Sequence, residues 1–162
     1  MAGDPRRPTH LTSDSRQIVP FATPTLRLTA AQHGEIVAQC FDGLPDEACG
    51  LLGGPLDDDG EPTGEVASVF PCRNADASAR TYTVDSRDLI KAMRAAEERG
   101  DELVAVWHSH THTDAYPSDT DVRQAVEPAW MYVIVSLKHA DPVLRAYRIR
   151  DSAIAEVDVT IE

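Results

Sequence analysis

Val104-Ala-Val-Trp-His-Ser-His-Thr-His-Thr-Asp-Ala-Tyr-Pro-Ser-Asp-Thr-Asp121 is the stretch on which the fold and the chemistry turn. Leu103–His108 is apolar up to its last residue, the pattern of a strand buried on both faces. The apolar run then gives way to three alternating histidines, a Tyr-Pro pair, a serine and a cluster of aspartates. His108 and His110 stand at i and i+2 where the strand emerges into a loop. On a strand such residues share a face, so two imidazoles can converge on one ion. Two imidazoles and a carboxylate suit Zn²⁺, and three protein ligands leave a fourth position for water. Asp121 offers the carboxylate, but His112 is in phase with the other two histidines and a three-histidine set is equally sound chemically. Ser118-Asp-Thr-Asp121 also reads as a capping box, with serine at the N-cap and a carboxylate at N3. Asp119 and Asp121 can equally be a solvated helix start. The two functions are compatible, since a capping box would fix both side chains at the mouth of the strand.

Outward from this motif, strands and helices interleave. Leu26-Arg27-Leu28 predicts a short strand, and Thr29 caps a helix with Ile36, Val37, Cys40 and Phe41 on its apolar side, ending near Gly43 and Pro45. Ala48–Leu52, Glu65–Phe70 and Thr81–Val84 predict strands, separated at 55–64 by a loop of prolines, glycines and aspartates. Ser86–Arg99 places Leu89, Ile90, Met93 and Ala96 at helical spacing and stops at Gly100. A short helix from Ser118 to about Val126 follows the motif. Trp130–Leu137, Val143–Arg150 and Ala153–Ile161 complete the strands, the last two as a hairpin. The expected fold is therefore mixed α+β, a central mixed sheet flanked by helices. Residues 1–22, with three prolines and no apolar periodicity, read as a disordered tail; residues 23–162 read as one domain.

Composition bounds the function. The 162 residues are 42% hydrophobic and 26% charged, ordinary for a globular protein. A net charge of −12 argues against nucleic acid as partner, because phosphate binding needs a basic footprint. No apolar run approaches the roughly 18 residues of a membrane helix, and no secretory signal is visible. Three cysteines, Cys40, Cys49 and Cys72, form no C-x-x-C pair, so a reducing cytoplasm is the expected compartment. Cys49 reads as a small buried residue rather than a nucleophile, since no histidine–cysteine pattern activates it. Trp107 reads as core and Tyr116 as a residue near the site. His10, His33 and His139 stand apart from any motif.

Glu47, then His108-Ser109-His110, seven residues, Ser118, two residues and Asp121 resembles the signature of the JAMM/MPN+ metallopeptidases, zinc enzymes that act on ubiquitin and ubiquitin-like proteins. Pro45-Asp-Glu-Ala-Cys-Gly-Leu51, Ala115-Tyr-Pro-Ser118, Tyr132-Val and Tyr147-Arg-Ile149 are similar to an actinobacterial branch that releases cysteine from a small sulfur carrier. The likeness covers about residues 25 to 160. It implies the MPN/JAB1 fold, which has a cytidine-deaminase-like architecture, and one Zn²⁺ per chain held by His108, His110 and Asp121. It also implies Glu47 as general base and Ser118 as hydrogen-bond donor to the reacting carbonyl oxygen; His112 is left as a loop residue. A glutamate in a Pro-Asp-Glu turn is ordinarily plain surface, so Glu47 rests on the resemblance alone. The implied partner is a ubiquitin-like (CysO-like) sulfur carrier with a cysteine after its last glycine, and the implied reaction completes a cysteine-forming route. Processing of a carrier for another thio-cofactor, general ubiquitin-like isopeptidase activity and a non-catalytic scaffold are the competing readings. A zinc deaminase is rejected, because Pro71-Cys72-Arg73-Asn74 lacks the second cysteine of P-C-x-x-C.

Overall fold

The computed structural model describes residues 24–162; the tail expected at 1–22 lies outside the described residues. Eight strands and three helices follow in the order β1 (Leu26–Leu28), α1 (Ala30–Asp42), β2 (Cys49–Gly54), β3 (Ser68–Cys72), α2 (Ser86–Glu98), β4 (Glu102–His110), α3 (Asp119–Gln124), β5 (Met131–Ser136), β6 (Val143–Arg150), β7 (Ala153–Val157) and β8 (Val159–Ile161). Six strands form one sheet in the order β3-β2-β4-β5-β6-β7, and β1 pairs with β8 in a separate two-stranded sheet. In the large sheet β4 and β5 run parallel and the other neighbours run antiparallel. The mixed α+β sheet expected from the sequence is the fold observed.

Both faces of the sheet are covered, and the period of two along β4 assigns each residue to one of them. Ala105 and Trp107 join Leu26, Ile36, Cys40 and Val133 in one core, on the side of β1 and α1. Val106 joins Leu51, Ala92, Tyr132 and Ile134 in the other, on the side of α2. His108 and His110 continue the Val106 phase, so the second face ends in imidazoles.

Helix starts follow the sequence closely. Thr29 caps α1 in a reciprocal box with Gln32, and Asp85 caps α2 by accepting from the backbone N–H groups of Arg87 and Asp88. The hairpin between β6 and β7 turns through Asp151 and Ser152, whose φ angles of 50° and 64° are those of a type I′ turn.

Five expectations need correction, the last of them the strand at 65–70. Phe41 is exposed rather than part of the apolar side of α1. In α2 the buried residues are Ala92 and Ala96, while Ile90 and Met93 remain 43% and 41% exposed. The helix lies close to the sheet on a small-residue stripe, which large side chains would hold away. Thr81–Val84 forms no strand: only Val84 makes an isolated bridge, to Asn74. The Asn74 side chain bonds the Thr81 carbonyl and the Thr83 N–H, replacing the sheet partner that an extended segment needs. Ala153–Ile161 is broken at Asp158 into β7 and β8, so one run serves two sheets.

The strand at 65–70 is shifted to Ser68–Cys72 and includes Pro71. Proline is tolerated because β3 is an edge strand. Next to Pro71 in register is Gly50, which also faces Trp107 on the other side. A Cβ at Gly50 would sit 2.3 Å from the Trp107 ring and 2.6 Å from the Phe70 carbonyl oxygen. Gly50→Ala is therefore expected to destabilise the fold by about 1–3 kcal/mol or more, read as a lower denaturant midpoint. A wild-type midpoint would show that the β2–β4 contact has slack.

Candidate metal centre

The site is built at the end of β4. His108 and His110 are its last two outward residues of one phase, and both are buried. The third group comes from α3. Ser118 caps this helix by accepting from the Asp121 N–H at 3.1 Å, and the Asp121 carboxylate returns to the Ser118 N–H at 2.9 Å. The capping box thus aims Asp121 Oδ2 at the histidines. Nε2 of His108 lies 3.1 Å from Nε2 of His110, and Asp121 Oδ2 lies 3.3 Å and 3.1 Å from those two nitrogens.

The protonation pattern follows from the neighbours. Nδ1 of His110 is 2.7 Å from the Asp114 carbonyl oxygen. A carbonyl only accepts, so Nδ1 carries the hydrogen, and in the neutral ring Nε2 presents a lone pair to the other two groups. His108 has no such bond at Nδ1; its ring is held by stacking on Tyr82, with centroids 4.2 Å apart. Burial lowers the pKa of His108 and so keeps that ring neutral. Burial also opposes charge on His110, but the Asp121 carboxylate and the Asp114 carbonyl outweigh it and the pKa rises. For Asp121, burial alone would raise the pKa; hydrogen bonds to both imidazoles reverse this and hold the carboxyl well below its usual range.

A proton on an imidazole Nε2 ties these atoms by hydrogen bonds; without it, three lone-pair atoms at 3.1–3.3 Å repel one another unless a metal cation stands between them. A tetrahedral ion with bonds of about 2.0–2.1 Å requires ligand atoms about 3.3 Å apart, so the triangle fits such an ion. His108, His110 and Asp121 are the group among the described residues that could hold a metal.

Glu47 stands opposite this triangle. The β2–β4 register pairs Cys49 with His108 and, one step beyond, Ser109 and Ala48 exchange bonds: the Ser109 N–H donates to the Ala48 carbonyl and the Ala48 N–H donates to Ser109 Oγ. The next position along β2 is Glu47, which brings it level with His110. Its backbone is tied by its N–H to Ser78 and by its carbonyl to the Asn74 side chain. The side chain is only 5% exposed and Oε2 has no hydrogen-bond partner. Burial first, with His110 opposing and Asp121 and Asp76 adding, pushes the carboxyl up to about 7.

The other sequence candidates fall outside the triangle. His112 is exposed, as is Ser118. The Ser118 hydroxyl accepts from the Asp121 N–H, which leaves its own hydrogen to donate elsewhere. Tyr116 is 56% exposed and meets Tyr147 edge-on. Cys49 is buried, and burial followed by the neighbouring Cys72 pushes its thiol up to about 12, which leaves little thiolate near neutral pH. Sequence reasoning missed Asp114, Tyr82 and Asn74, which hold His110, His108 and Glu47 by backbone bonds and stacking that no spacing rule reveals.

Residues 29–150 match the model of the prokaryotic homologues of the JAB domain. The chain belongs to this family. Over 129 residues it is 44% identical to the CysO-cysteine peptidase of Mycobacterium tuberculosis, covering 78% of this chain and 84% of that one. It is 30% identical over 142 residues to the desampylase of Haloferax volcanii, covering 85% and 96%. A solution structure from Desulfitobacterium hafniense is similar with a TM-score of 0.75 and 34% identity, over 84% of this chain and 92% of that one. With peptidases as its relatives and an intact His-His-Asp group, this JAB domain is a hydrolase of the JAMM type rather than a scaffold.

Two outcomes are expected from this geometry. Asp121→Ala should lose most of the bound metal, whereas His112→Ala should retain it, as read by metal analysis after dialysis; the reverse result would move the ligand set to three histidines. Glu47 adds a pH signature to the metal-free protein. Between its unfolded pKa near 4.5 and its folded pKa of about 7, the native state binds more protons than the unfolded chain, so stability falls as pH rises. Glu47→Gln removes that loss, on the order of 3 kcal/mol. Its melting temperature should therefore exceed wild type at pH 8 but not at pH 4.5.

Proposed function

We propose that this chain is a zinc metallopeptidase that hydrolyses the bond between the C-terminal glycine of a ubiquitin-like, CysO-like sulfur carrier and an attached cysteine. The observation that carries the reading is the His108–His110–Asp121 triangle with a buried, unpaired Glu47 carboxyl beside it. The 44% identity to a CysO-cysteine peptidase supplies the choice of carrier and adduct.

Zinc in the triangle would act as a Lewis acid toward the scissile carbonyl and lower the pKa of water at its fourth position to about 7. The chain's own groups do the rest. His110 is held in the required tautomer by Asp114, and Asp121 by the Ser118 N–H, so these atoms need no reorganisation during the reaction. Glu47, buried beside the triangle with Oε2 unpartnered, is placed to take the proton of the attacking water and deliver it to the leaving amine. The Ser118 hydroxyl donates to the carbonyl oxygen as negative charge develops there. Tyr82 closes one side of His108 against water.

The carrier's tail would reach the site extended, and the −12 charge of the chain suits a neutral or basic partner face. The similarity to a desampylase favours one alternative, cleavage of carrier–protein conjugates.

The deciding experiment incubates zinc-loaded protein with a carrier of the same organism bearing one cysteine after its final glycine, and with the same carrier joined to a lysine side chain. Intact mass is followed with time, with Glu47→Gln alongside. Loss of the cysteine residue in wild type alone supports the reading; release only from lysine would replace it with the isopeptidase alternative.

A further inference from the structure

A cavity of about 580 Å³ lies on the β6 side of the loop that follows His110, between the segment 114–116 and the end of the sheet. Its walls include Tyr116, Ser136, His139, Arg145 and Tyr147. The volume is that of a small-molecule site. No role in holding the triangle or moving its protons requires this space.

Three observations join the cavity to the reaction. Asp114 lines it and its carbonyl accepts from Nδ1 of His110, so the wall and a candidate ligand are one hydrogen bond apart. Ala115 also lines it, and its carbonyl accepts from the Tyr147 hydroxyl, which fixes the wall to β6. Ser136 donates to the Thr113 carbonyl at 2.6 Å, and the Leu137 N–H donates to the His110 carbonyl at 2.9 Å. The cavity is therefore held at a fixed offset from His110 by β5, β6 and the loop together.

In a chain of net charge −12, Arg145 lines this space, and Lys138 beside it pairs with the Asp114 carboxylate at 3.3 Å. That pairing neutralises the carboxylate in the wall. Arg145 makes one loose contact, Nη1 to Glu156 Oε1 at 3.4 Å, with both side chains about half exposed, and its guanidinium also interacts with the Tyr147 hydroxyl. A guanidinium has five N–H donors in a fork that matches a carboxylate, so these contacts leave capacity for a bidentate partner.

We infer that this cavity binds the leaving group as a free amino acid, with Arg145 gripping its α-carboxylate and the Tyr116–Tyr147 pair flanking its side chain. The inference rests on the proposed cysteine-releasing reaction and deepens it. A cysteine at the very end of a carrier has a free α-carboxylate next to the amine that leaves. A lysine within a protein conjugate has none at that position. Arg145 would thus make the enzyme selective for a single C-terminal residue over an internal isopeptide.

The test separates this from catalysis by measuring binding on zinc-loaded Glu47→Gln protein. Isothermal titration compares a peptide ending in Gly-Gly-Cys as the free acid with the same peptide as its C-terminal amide. The free acid should bind about 10- to 100-fold more tightly, as for a lost hydrogen-bonded charge pair. In the added presence of Arg145→Gln that difference should vanish, and Arg145→Lys should restore part of it. Equal affinities for acid and amide, no binding of either peptide, or a difference that persists in Arg145→Gln overturns the inference. Failure of the proposed function reads out separately, as wild-type protein that leaves the cysteine-bearing carrier intact.

Discussion

The close approach of Trp107 to Gly50 is the constraint on which the site depends. The indole lies over a glycine of the neighbouring strand because nothing larger fits there. That contact locks the antiparallel register of β2 against β4, pairing Cys49 with His108. A one-residue slip would turn every side chain of β2 to the opposite face. Glu47 would then leave the side of the sheet that carries the imidazoles. Ser109, between the two histidines, reinforces the register by bonding Ala48 through both its backbone N–H and its hydroxyl. The middle residue of H-x-H is thus the clasp that holds the candidate base against the candidate ligands.

This arrangement stores an electrostatic cost. Two buried imidazole nitrogens and a carboxylate oxygen point at one spot, and a fourth buried group, Glu47, has an oxygen without a partner. A chain selected for stability alone would fill these positions with apolar side chains, as it does at Val106 on the same face of β4. A metal ion held there would convert the repulsion into stabilisation, since a preformed set of ligand atoms recovers its cost when a cation enters. The surrounding bonds are consistent with that logic: Asp114 and Tyr82 restrain the two imidazoles without engaging Nε2, while the Ser118 N–H takes one lone pair of Asp121 Oδ2, the oxygen that faces the histidines, and so fixes its direction.

The sequence revealed elements whose signal is local. The apolar runs of β4 and β5, the capping residues Thr29 and Ser118, and the H-x-H spacing all depend on residues within one turn or one strand. Where tertiary packing decides, the pattern misled. In α2 the larger residues Ile90 and Met93 suggested the buried face, yet the close helix–sheet contact selects Ala92 and Ala96. Thr81–Val84 has strand composition, but the partner it finds is the Asn74 side chain, 7 and 9 residues away from its two bonds. Glu47 was visible only through resemblance, because its environment is made by residues 74, 78 and 109. Arg145 and His139 carried no motif at all; the antiparallel β6 and the turn before it bring them to the cavity wall.

The topology explains why the chemistry collects at this end of the molecule. Among the described residues, β4–β5 is the one parallel junction of the six-stranded sheet. A parallel pair needs a crossover that leaves one strand at its C-terminal end and returns to the start of the next. Here residues 111–130 make that return, and they begin where His110 ends. Asp114, Ser118 and Asp121 all lie in the crossover, so the connection that the parallel pairing demands also supplies the third candidate ligand and its supports. The C-terminal ends of parallel strands are where such sheets place their ligands. The histidines at the end of β4 and the serine at the end of β5 obey that rule, and the antiparallel β6 then adds a second wall. The crossover of about 20 residues faces the histidines with Asp121, and its segment at Asp114–Tyr116 separates His110 from the cavity that Arg145 lines. The same connection that builds the candidate metal triangle therefore also forms a wall of the cavity next to it.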